Sequence, residues 1–159
     1  MTGATPFFFM FLLALALLFA AYGDWLRRDI PNKLNLAIAL AAPFYWWAAG
    51  YSLWPEVAII VGLALALFAL FTIAFTIGAM GGGDVKLIGA LALWFTPLQL
   101  PIMLIVMALS GGVLTIAMLA HHRWANKIEK PEIPYGIAIA IGGLWVVMNE
   151  ILTIGPVTI

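Results

Sequence analysis

The chain has 159 residues, of which 65% are hydrophobic and only 9% charged, against roughly 45–50% and 25% for soluble domains; this places it in a bilayer as one domain over residues 1–159, with no length left for a soluble catalytic unit. It holds no cysteine and two histidines, adjacent at His121-His122, which excludes disulfides, thiolate nucleophiles and cysteine-ligated zinc and argues against a histidine-rich metal site. The formal net charge is zero, with no sign of a nucleic-acid partner.

Taken in chain order, apolar stretches of about 20 residues predict the crossings. The first runs from about Pro6 to Gly23. No Lys or Arg precedes Arg27, so the basic region of a cleaved signal peptide is missing and a retained first helix is expected. A polar stretch, Asp24 to Asn35, leads to a second segment, about Leu34 to Gly50. That segment ends among Tyr45, Trp46, Trp47, Tyr51 and Trp54, an aromatic belt of the kind found at a membrane surface. The third segment is about Pro55 to Ala79, the fourth about Asp84 to Thr96-Pro97, and the fifth about Pro101 to Ala120. A polar loop, His121 to Pro134, precedes the sixth, Tyr135 to Ile154.

The basic residues test this division. Arg27, Arg28, Lys33, Lys86, Arg123, Lys127 and Lys130 all follow segments one, three and five. By the positive-inside rule that face is cytoplasmic. The expected fold is an all-α integral membrane protein of about six transmembrane helices, with both termini outside.

In so apolar a chain, acids are the candidate site residues. A charge at the bilayer centre costs roughly 2.5–3.5 kcal/mol even on insertion scales, so an acid there reads as functional by default. Asp84 follows Gly81-Gly82-Gly83, whose missing side chains let another backbone approach. The alternative is an ordinary helix cap. Asp24 closes the first segment and Asp29 lies among Arg27, Arg28 and Lys33, where solvated interfacial acids are also expected. Two carboxylates at one membrane face suggest either acid/base chemistry on a peptide or a proton path. Ile30-Pro31-Asn32 reads as structural, with Asn32 or Asn35 capping the second segment. Lys86 is expected to snorkel toward headgroups. Glu56 and Glu150 read as interfacial, and Gly62, Gly78, Gly89, Gly111, Gly112, Gly142 and Gly143 as helix-packing positions.

Three strings together resemble one family. Asp24 standing six residues before Ile30-Pro31-Asn32, with Arg27 and Arg28 between, is similar to the first motif of the type IV prepilin peptidases. Gly81-Gly82-Gly83-Asp84-Val85-Lys86-Leu87 resembles their second, Gly-x-Gly-Asp followed by Val-Lys-Leu. Ile133-Pro134-Tyr135-Gly136 resembles a third, Ile-Pro-Tyr-Gly. Asp29 stands where a basic or neutral residue is usual in that pattern. The lack of an N-terminal cysteine-rich, methylating segment is similar to the short, peptidase-only branch associated with Flp/tight-adherence pili.

The resemblance implies an aspartic endopeptidase of the cytoplasmic membrane with Asp24 and Asp84 as its catalytic pair. Gly81, Gly83, Lys86, Ile30, Pro31, Asn32, Pro134, Tyr135 and Gly136 would bind substrate or support the backbone. Its substrates would be pilin or pseudopilin precursors with a short basic leader, cut just after glycine, and its other partners the lipid bilayer and the pilus-assembly machinery. No metal or other cofactor is implied. Two close carboxylates would titrate as a coupled pair, and Glu129 and Glu132 could meet the basic leader. Two other readings use the same acids: a proton-coupled transporter or channel subunit, expected to show repeated halves, and a presenilin-type intramembrane protease, whose first aspartate lies within a span rather than beside a basic loop.

Overall fold

The computed structural model describes residues 4–124 and 134–154, and all regular structure among them is helical. The helices are α1 (Ala4–Arg27), α2 (Asn32–Ala49), α3 (Ala58–Thr76), α4 (Gly82–Ala92), α5 (Gln99–Trp124) and α6 (Tyr135–Ile154). An irregular turn, Leu53–Val57, leads into α3. Four stretches are long and apolar enough to cross a membrane: Thr5–Arg27, Leu53–Thr76, Gln99–His121 and Tyr135–Thr153. The protein is therefore an all-helical membrane protein. Of the two other predicted crossings, α2 carries Pro43 in its interior. The other, α4, has 11 residues, or about 16 Å at the rise of an α-helix.

The elements depart from the expected boundaries where polar residues extend an apolar helix. Asp24 belongs to the last turns of α1, not to a loop, because α1 continues to Arg27. A basic residue at a helix C-terminus complements the dipole, so charge there does not end the helix. The end comes at Arg28, whose φ of 54° is left-handed. In the same way α5 runs through His121–Trp124, which were expected in the loop. Lys127, Glu129, Lys130, Glu132 and Ile133 lie outside the described residues. At the other extreme, α4 stops at Ala92 instead of near Thr96.

The core is organised around α4, which packs on α2, α3 and α6. Its Leu87, Ile88 and Leu91 are wholly buried. The flanks of the bundle are α1 and α5, both packed on α6. A methyl group at Gly142 would come within 2.6 Å of the Met103 carbonyl oxygen, so only glycine permits this approach of α6 to α5. The outer side of α5 presents Ile105, Leu109, Val113 and Ile116, the surface expected of a helix whose solvent is lipid.

The end of the bundle formed by the C-termini of α2 and α4 is fastened by aromatic residues. The Trp94 indole donates to the Ile38 carbonyl (3.0 Å) and the Trp46 indole to that of Leu93 (2.7 Å). The Tyr45 ring stacks on Trp94 with centroids 5.2 Å apart. Nearby, the Gln99 amide donates to Glu150. Each large apolar body is thus buried while its polar tip finds a partner.

Candidate active site

The opposite end of the bundle brings the three strings together. After the left-handed Arg28 the chain doubles back, and Ile30 is drawn into the core at 3% exposure. Ile30 then meets both other strings. A methyl group at Gly83 would lie 3.3 Å from Ile30 Cβ, and one at Gly136 would lie 2.7 Å from Ile30 Cδ1 and 2.8 Å from Asp24 Oδ2. The six-residue spacing between Asp24 and Ile30 has a physical meaning: it is the length needed to leave α1, reverse, and place a side chain beside the carboxylate.

Asp24 is 5% exposed, and its Oδ2 completes no hydrogen bond. The backbone N–H groups of Gly136 and Ile137, in the first turn of α6, lie near the carboxylate. They present the positive end of a helix to the acid. A buried polar atom without a partner, such as Oδ2, is uncommon and calls for an explanation.

Asp84 occupies the third position of α4, after the N-cap Gly81. It is not itself the cap. Its carboxylate folds back toward Gly81, whose N–H lies beside it, and a methyl group at Gly81 would lie 3.0 Å from Asp84 Oδ2. Asp84 is half-buried and stands close enough to Asp24 to feel its charge. The two acids therefore share one site, although they come from different helices 60 positions apart in the sequence.

The remaining residues divide into those that hold this site and those that stand at its edge. Pro134 is fully buried and accepts from the Ile137 N–H at 3.3 Å, which opens α6 beside Asp24. Tyr135 is half-buried. Pro31 precedes α2 at the surface, and neither Asn32 nor Asn35 caps that helix as expected. Instead Asn32 accepts from the Lys86 ammonium at 2.7 Å, tying α2 to α4. Asp29 is exposed; like Arg28 it acts on Asp24 through its charge.

Asn35 is the residue that sequence reasoning missed. Its amide donates to the Gly83 carbonyl at 3.1 Å while its Oδ1 is buried without a partner. It fixes the residue before Asp84 from α2. The signal was available: Asn35 heads the buried face of α2 that continues through Ile38, Ala42 and Tyr45, and a polar residue at a core position needs a partner.

A profile of the type IV leader peptidase family matches residues 11–116. That is well over half of the chain, which therefore belongs to this family and is a membrane peptidase. The match includes Asp24, Ile30 and Asp84 but ends before the string at Pro134. No curated protein and no solved structure matches the chain.

Proposed function

We propose that the protein is an aspartic endopeptidase that removes the short basic leader from type IV pilin-like precursors, with Asp24 and Asp84 as its catalytic pair. The observation that carries this reading is that Asp24 Oδ2 is buried and unpartnered while Asp84, whose helix start packs on Ile30 through Gly83, stands close enough to feel the charge of Asp24. A buried carboxylate oxygen with no partner in the protein is free to bind water and substrate. Two carboxylates this close share one proton more readily than they both ionise. The ionised one takes a proton from water, whose oxygen attacks the scissile carbonyl. The protonated one gives its proton to that carbonyl oxygen. Collapse of the tetrahedral intermediate breaks the C–N bond, and the proton taken from water passes to the leaving amine. The leader departs with a new carboxylate and the pilin with a new amino terminus. The chemistry uses only these side chains and water.

The topology that fits is a single domain with six crossings and both termini outside. It has the site on the cytoplasmic face of the inner membrane, where the leader of an unprocessed pilin lies. Its support is that Arg27, Arg28, Lys33 and Lys86 all stand at the end of the bundle that holds the acids. We further propose that the protein acts beside the pilus-assembly machinery. The test is cleavage of a reconstituted pilin precursor by wild type, Asp24→Asn, Asp29→Asn and Asp84→Asn at matched membrane levels. Loss in the Asp24 and Asp84 variants alone is the expected result. Full processing by either of those two would remove the pair.

A further inference from the structure

Two grooves open between the helices. The larger, about 470 Å³, is lined on α4 by Lys86, Gly89, Ala90 and Leu93. Asp84 lies two positions from Lys86, about 200° around the helix, so this groove follows the side of α4 turned away from the carboxylate. The smaller, about 360 Å³, is lined by Met80, Gly111, Gly112, Thr115, Tyr135 and Ile139 among others. Its two opposing edges adjoin the acids. Met80 precedes Gly81, which touches Asp84, and Tyr135 precedes Gly136, which touches Asp24. The third wall is α5, where the Thr115 hydroxyl is already taken by the Gly111 carbonyl (2.7 Å). Among the described residues, no charged side chain lines this groove. Its chemistry therefore suits an apolar stretch of peptide and not a basic one.

Resting on the peptidase reading above, we propose that this groove is the cleft that seats the apolar residues flanking the scissile bond of the substrate. Gly112 sets the bulk of the side chains it admits. Gly112 lines the groove and a methyl group there would meet nothing within 4 Å, so a larger residue would crowd the cleft without disturbing the packing of the described residues. Gly62 on α3 is a matched control: it is also an exposed helical glycine with open space around a methyl group, and it lines neither groove.

The experiment compares full-length wild type, Gly112→Leu, Gly62→Leu and Asp84→Asn in detergent micelles. The probe is a synthetic precursor peptide with a lysine-rich leader, a glycine and a run of valine and leucine. Gly112→Leu is expected to lower kcat/KM at least about tenfold, chiefly by raising KM, as filling an apolar pocket does. Gly62→Leu is expected to match wild type, with neither leucine variant lowering Tm. Wild-type kinetics in Gly112→Leu, or equal losses in both leucine variants, would overturn the cleft while leaving the catalytic pair intact. Cleavage by Asp84→Asn would instead remove the catalytic pair, and none by wild type the peptidase reading itself.

Discussion

The two ends of this bundle treat polar groups in opposite ways. At the aromatic end, the Trp94 and Trp46 indoles and the Gln99 amide each have a protein acceptor. At the acidic end, Asp24 Oδ2 and Asn35 Oδ1 are buried without partners. The unpartnered atoms lie on the last turns of α1 and the first turn of α2, both beside the N-terminus of an α4 that is held along its buried face and at its C-terminus. Stability and function are separated along the same helices, as expected where a site departs from the rules that hold elsewhere in the molecule.

The contrast can be broken most forcefully at the acids. Asp24→Asn and Asp84→Asn are each expected to lower cleavage by about 10³-fold or more. Tm should change little in Asp24→Asn, because the amide keeps one oxygen for the Gly136 and Ile137 N–H groups and Oδ2 has no partner to lose. A large drop in Tm would make Asp24 a structural residue. Gly136→Ala should come next. Its methyl group would press on Asp24 Oδ2 and Ile30 Cδ1, and a displacement of this kind is expected to lower kcat about 10²-fold. Kinetics of the purified variant on a precursor peptide would check this.

Smaller effects sharpen the division. Asn35→Ala removes the bond to Gly83 and is expected to cost about 1–3 kcal/mol of stability, together with a fall in kcat as the Asp84 turn loosens. Trp94→Phe removes the bond to Ile38 at the other end, with a similar cost of about 1–3 kcal/mol. At a temperature where it is folded, its cleavage rate should equal wild type. Thermal melts paired with peptide cleavage separate the two: activity lost in Trp94→Phe and kept in Asn35→Ala would reverse the assignment of the ends. Asp29→Asn, at an exposed position, should change neither readout.

Much of the site was legible in the sequence because charge is so scarce in it. Asp24 and Asp84 stand out against an apolar background, and the Gly-x-Gly-Asp and Ile-Pro-Asn strings locate the turns beside them. Asn35 was not legible as an anchor, since an asparagine near a helix start is usually a cap. Its hydrogen bond to Gly83 spans 48 residues and exists only once α2 and α4 are packed. The helical state of Asp24 and of His121–Trp124 was hidden for another reason. Hydropathy marks where a chain leaves the hydrocarbon, whereas the backbone bonds of α1 and α5 continue past that point. The length of α4 depended on Trp94 and Phe95 turning inward to the core, a tertiary preference with no periodic signature. The groove beside Met80 and Tyr135 is likewise a product of packing.

The central claim is that Asp24 and Asp84 act as one unit. Single-turnover cleavage of a precursor peptide by Asp24→Asn, Asp84→Asn and the double variant tests it most directly. Groups that share one proton are grossly non-additive when removed, so all three proteins are expected to have the same residual rate. A double variant slower than either single by the product of their separate effects would contradict the pair, and so would substantial cleavage by either single variant.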